Sequence, residues 1–168
     1  DIYTWATEGF GHFTDVWDFD DFWTRANTFE ACVRFVEAAR AKWPTDPNVA
    51  AMETFLQQMA QTNETYFTAK LATSNWADDY GWCGIASLAA RDYLQSVGAD
   101  DLAASFLGIA EKCWDTMYRT GYDSSDTARP VTHGCGNGSD GDPGTKNTVT
   151  NANLFVLSLR LYAALKPS

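Results

Sequence analysis

Five stretches of this chain repeat their apolar residues every three to four positions, and none alternates them as a half-buried strand would. Phe22, Ala26, Phe29, Val33 and Val36 mark the first helix, opening at Asp20-Asp21 and running to about Lys42, where Pro44 stops it. Asp46-Pro47 opens the second, with the acid as N-cap and the proline at the first helical position. Val49, Met52, Phe55/Leu56, Met59 and Tyr66 carry it to about Lys70. Residues 71–79 read as a connector. A third helix spans about Tyr80 to Val97, with Ile85, Leu88, Ala89 and Leu94 inward and Gly98 as the residue that ends it. Asp100 or Asp101 caps a fourth, striped by Leu102, Phe106, Ile109, Cys113 and Met117. A fifth spans about Asn147 to Leu165, with Leu154, Leu157, Leu161 and Ala164 on one face. Residues 1–20 read as irregular and aromatic. Residues 121–146 hold six glycines and no helical period, the mark of a functional or disordered loop. The expectation is one all-α domain over residues 1–168, built of stacked antiparallel helical hairpins.

Charge narrows the partners. The net charge of −10 leaves no basic patch to neutralise phosphates, which excludes nucleic acid and anionic membranes. No run of 18 apolar residues exists to span a bilayer. Aromatics make up 14% of the chain. Most serve a core, but flat rings also suit the apolar faces of sugars. The four cysteines, Cys32, Cys83, Cys113 and Cys135, form no CxxC pair, and with only two histidines they argue against zinc. Their even number allows two disulfides, with four buried thiols as the alternative. Sequons at Asn63 and Asn137 and an opening at Asp1-Ile2-Tyr3 fit a processed, secreted glycoprotein.

The segment Trp76-Ala-Asp-Asp-Tyr-Gly-Trp82 concentrates chemistry. In the plainer reading, Asp78 or Asp79 caps a helix and the aromatics are core. In the functional one, two neighbouring carboxylates act on one bound bond. Inside a helix they would point about 100° apart; a connector can instead aim them at opposite sides of the bond. A separation of ~5 Å suits a retaining glycosidase, with one acid attacking the anomeric carbon and the other protonating the leaving oxygen. Close carboxylates also separate each other's pKa values, as that division of labour requires.

These residues resemble glycoside hydrolase family 76, the endo-α-1,6-mannanases, whose Trp-x-Asp-Asp-x-x-Trp-Trp motif is matched by Trp76-Ala-Asp78-Asp79-Tyr80-Gly81-Trp82-Cys83. Lys146-Asn147-Thr-Val-Thr-Asn151 matches the family's Lys-Asn-x-x-x-Asn after a glycine-rich stretch, and Phe22-Trp23-Thr-Arg-Ala-Asn27 looks like its N-terminal helix. The resemblance implies an (α/α)6 barrel and retaining hydrolysis of α-1,6-linked mannose chains, with Asp78 as nucleophile and Asp79 as acid/base. It implies no cofactor. Two departures stand out: Cys83 replaces the motif's second tryptophan, and the chain is about half a family member's length. A half barrel of this kind exposes an apolar inner face, so a homodimer, or a second chain that completes the barrel, is expected. The alternative is a non-catalytic glycan-binding protein, an inhibitor or a secreted effector on a shortened hydrolase fold.

Trp76, Tyr80, Trp82, Trp23, Asn27, His133, Lys146, Asn147 and Asn151 are the candidate substrate contacts. For Asn147 and Asn151, helix capping and a buried structural amide are equally good readings. His133 and His12 read as solvated loop residues. Asp123, Asp126, Asp140 and Asp142 lack EF-hand spacing, so no metal site is assigned. The disulfide pairs expected are Cys32–Cys83, on neighbouring inner helices, and Cys113–Cys135, flanking the long loop.

Overall fold

The structure, a computed structural model, describes residues 21–73, 75–125, 127–128, 133–139 and 142–166. Residues 1–20, with His12, and the loop acids Asp126 and Asp140 lie outside the described residues.

The fold is all-α, as the apolar periodicity predicts. Its helices are α1 (Phe22–Lys42), α2 (Pro47–Lys70), α3 (Ala77–Ser96), α4 (Asp100–Thr116) and α5 (Thr148–Leu165). Asp46 caps α2 as expected, its carboxylate accepting from the Asn48 N–H at 2.8 Å, with Pro47 in the first turn. Gly98 adopts φ +76°, the left-handed conformation that closes α3.

Two boundaries differ from the sequence reading. Helix α3 begins three residues early, at Ala77, so Asp78 and Asp79 lie in its first turn and not in a connector. Both acids face the positive end of the helix dipole, which favours helix there. The N-cap of α4 is Ala99, so Asp100 and Asp101 act within the first turn rather than as caps. The stretch after α4 also departs from an unstructured loop. A π-helical turn, Met117–Gly121, leads into β1 (Tyr122–Asp123), β2 (Gly134–Cys135), β3 (Asn137–Ser139) and β4 (Asp142–Thr145). Strand β1 pairs antiparallel with β2, and β3 with β4. Strands of two to four residues are too short to show an alternating pattern.

Helix α3 is the hub, packing against α1, α4 and α5. Its residues Ala86, Ala89 and Leu94 are fully buried, in one core with Phe29, Phe106 and Leu157 of the surrounding helices. Glycine permits the closest approach. A Cβ at Gly81 would lie 2.6 Å from Asn153 Cβ, and one at Gly84 would lie 2.7 Å from a Leu157 methyl. These two positions let α5 press onto the acid-bearing end of α3. The outer face of α5 is apolar and open, with Phe155 65% and Tyr162 67% exposed beside Leu159.

Candidate active site

The first turn of α3 floors a groove of about 600 Å³ lined by Asp21, Trp23, Trp76, Asp78, Asp79, Trp82 and Asn137. Trp23 on helix α1 and Asp21, the residue just before that helix, form one wall, and β3 supplies Asn137 as another. Trp23 and Trp76 are each about half exposed, at 48% and 52%. Two flat apolar rings beside carboxylates form a surface suited to a sugar's C–H faces and hydroxyls.

The groove holds its acids from both the backbone and the neighbouring elements. Asp79 Oδ2 accepts from the Trp76 N–H at 3.2 Å, satisfying one of the free donors that open the helix. Asn137 Oδ1 accepts from the Asp78 N–H at 3.2 Å, and Asn153 Nδ2 donates to the Asp78 carbonyl at 3.4 Å. The Asp78 backbone is thus clamped between β3 and α5, while both carboxylates remain on the groove. Partial burial pushes Asp79 up to about 6, with the Asp78 and Asp21 charges adding to the rise and the Trp76 hydrogen bond opposing it. Among the described residues Asp79 has no salt bridge that would hold it ionised. The groove therefore carries a carboxyl that stays partly protonated near neutral pH.

The structure sorts the remaining sequence candidates. Tyr80 points into the core, edge-on to Phe22, and its hydroxyl donates to the Thr73 carbonyl at 2.8 Å. Asn27 donates to the Trp23 carbonyl on its own helix. Asn147 caps α5, accepting from the Thr150 N–H at 2.8 Å. Asn151 accepts from the Cys135 N–H at 2.8 Å and donates to the Cys135 and Asn147 carbonyls, fastening β2 to α5. Lys146 is ion-paired with Asp123 at 2.6 Å, which holds the Asp123 carboxyl well below the usual range. His133 is half-buried beside β2. None of these six lines the groove.

The sequons also resolve differently. Asn63 is fully buried inside α2, its Oδ1 accepting from Arg25 Nε at 2.6 Å, so the folded chain offers no room for a glycan there. Asn137 belongs to the groove wall. Asp21 is the site residue the sequence reading missed. It registered only as a helix start, and its place in the groove depends on how α1 packs across α3.

All four cysteines are buried free thiols. The pairs expected from sequence, Cys32–Cys83 and Cys113–Cys135, are not the ones brought together. Instead Cys113 lies near Cys83, and its complete burial there, with Cys83 beside it, raises its pKa.

An all-α scaffold presenting adjacent acids and exposed tryptophans in one groove has the features of a glycan-processing protein. The sequence profile of glycosyl hydrolase family 76 matches residues 2–167, and the chain belongs to that family. No curated protein and no solved structure matches it. The family fold is an (α/α)6 barrel, of whose helices α1–α5 are a part.

Proposed function

We propose that the chain hydrolyses α-1,6-linked, mannan-type glycans by a retaining mechanism, with Asp78 as nucleophile and Asp79 as acid/base. The observation that carries this reading is the raised Asp79 carboxyl beside a second carboxylate in a tryptophan-lined groove. In the first step Asp78 attacks the anomeric carbon while Asp79 gives its proton to the departing glycosidic oxygen. In the second, Asp79 takes a proton from water, which displaces Asp78 from the sugar. Trp76, Trp23 and Trp82 hold sugar rings across the groove. Burial chiefly raises the Asp79 carboxyl, and the nearby Asp78 and Asp21 charges add to that rise. The work is extracellular, where such glycans are met.

A second reading is a glycan-binding protein without turnover. It is favoured by a groove that only α1, α3 and β3 wall among the described residues. Reducing ends released from α-1,6-mannan by wild type and by Asp78→Asn separate the two. Release lost in the variant supports hydrolysis. A wild-type rate equal to buffer, with mannan still bound, supports the second reading.

The exposed apolar face of α5 supports a partner, either a second copy or another chain that continues the helical wall. Sedimentation across micromolar concentrations is expected to show self-association, and a strict monomer would contradict the homodimer.

A further inference from the structure

We propose that Cys83 and Cys113 form a disulfide that ties α3 to α4 one turn behind the acid pair when the chain meets a disulfide oxidant. Cys83 follows Asp79 by four residues, on the core side of the helix whose first turn bears both acids. Cys113 lies in the last turn of α4, and both cysteines are completely buried. Their side chains are close enough for Cys83 to add to the rise in the Cys113 pKa, and Cys83 Sγ also lies 4.0 Å from Ser87 Oγ on its own helix. The backbones are close as well: a Cβ on Gly84, next in sequence to Cys83, would lie 3.1 Å from Cys113 Cβ. This close approach of α3 and α4 brings the two cysteine-bearing turns together. The other two cysteines have other neighbours. Cys135 Sγ donates to the Met117 and Gly136 carbonyls at 3.5 Å. Cys32 lies buried on α1, its thiol pushed up to about 12 by burial alone.

Bond formation proceeds by exchange. One of the two cysteines, as thiolate, attacks a small-molecule disulfide and releases one thiol, leaving a mixed disulfide. The other cysteine then attacks the protein sulfur and releases the second thiol. Two protein thiols become one disulfide, and the oxidant is reduced to two thiols. Burial raises the Cys113 thiol well above its ordinary range in the native fold, so exchange occurs as α3 and α4 assemble or open. Cys83 stands where the family motif has tryptophan, so here a covalent strut takes over the anchoring of the helix turn that carries the acids.

The test is to refold the full chain in a glutathione/glutathione disulfide buffer, quench with acid and alkylate under denaturing conditions without reductant. Peptide mapping by mass spectrometry then locates the bridge. The expected result is one linked peptide joining Cys83 to Cys113, with Cys32 and Cys135 alkylated. In Cys113→Ser, Cys83 should become alkylated. Four alkylated cysteines in wild type, or a bridge through Cys32 or Cys135, would overturn the proposal whether or not the variant folds. The bridge closes a loop of about 30 residues, so Tm should rise by about 5–10 °C over the reduced protein. An unchanged Tm would overturn the anchoring.

Discussion

Two grooves among the described residues are nearly equal in size and opposite in character. One, about 600 Å³, lies over the start of α3; the other, about 640 Å³, runs between α4 and α5. Both hold tryptophan and carboxylate side chains. In the second groove Trp114 and Asp115 are already engaged. The Trp114 indole N–H donates to Ser158 Oγ at 2.8 Å, its ring stacks on Tyr118, and Asp115 pairs with Arg119 at 2.6 Å. In the first, Asp79 faces two other carboxylates and its hydrogen bond from Trp76 only partly offsets its burial. Volume does not distinguish a reaction site from a surface furrow. What does is an acid left poised between its two protonation states.

Substitution should break this comparison first at the acids. Asp79→Asn in the α3 groove should cost about 10²- to 10⁴-fold in kcat on α-1,6-mannan, the usual contribution of a positioned general acid. Asp115→Asn in the other groove should leave turnover unchanged. Equal effects would make the distinction between the grooves meaningless.

Packing comes next. Gly81→Leu places a side chain where Asn153 sits and pushes α5 off α3. It should destabilise the fold by about 1–3 kcal/mol in denaturant titrations. Gly108, which lines the α4–α5 groove, has open space around its Cβ position, and Gly108→Ala should stabilise or leave Cm unchanged. A smaller effect separates the tryptophans. Trp76→Ala should raise KM about 2- to 10-fold, the scale of one aromatic contact, with no change in Tm. Tyr162→Ala in the other groove should leave KM as it is.

The smallest effect is a pH dependence of stability. The folded-state pKa of Asp79 lies above its unfolded value, so the native state binds more protons between pH 4 and about 6. Stability therefore falls as pH rises through that window. The carboxyl is partly exposed to solvent, which limits the effect to about 1 kcal/mol. Asp79→Asn should remove this slope in urea titrations at pH 4 and pH 7.

The helices were legible because periodicity and caps agree along most of the chain. Asp46-Pro47 and Gly98 fixed real boundaries. The start of α3 was misjudged because Asp78 and Asp79 resemble caps, whereas Asp79 reaches back to the Trp76 N–H and extends the helix by a turn. Local reading found Trp76, Asp78, Asp79 and Trp82 because they share one short segment. It could not find Asp21 or the wall role of Asn137, which only the crossing of α1 and the folding of the β3–β4 ribbon bring to the groove. Lys146, Asn147 and Asn151 drew notice for a real reason of another kind. The two asparagines start α5 and pin β2 to it, and Lys146 pairs with Asp123 ahead of β2. The cysteine pairing depended on which faces of α3 and α4 meet, and helix order alone does not specify that.

The proposed chemistry makes Asp79 the proton donor of the groove. The most direct test is kcat/KM on α-1,6-mannan from pH 4 to pH 8 for wild type and Asp79→Asn. With Asp79 as donor, the wild-type rate should fall as pH rises through about 6, and the residual variant rate should lack that limb. A falling limb that survives unchanged in Asp79→Asn would contradict it.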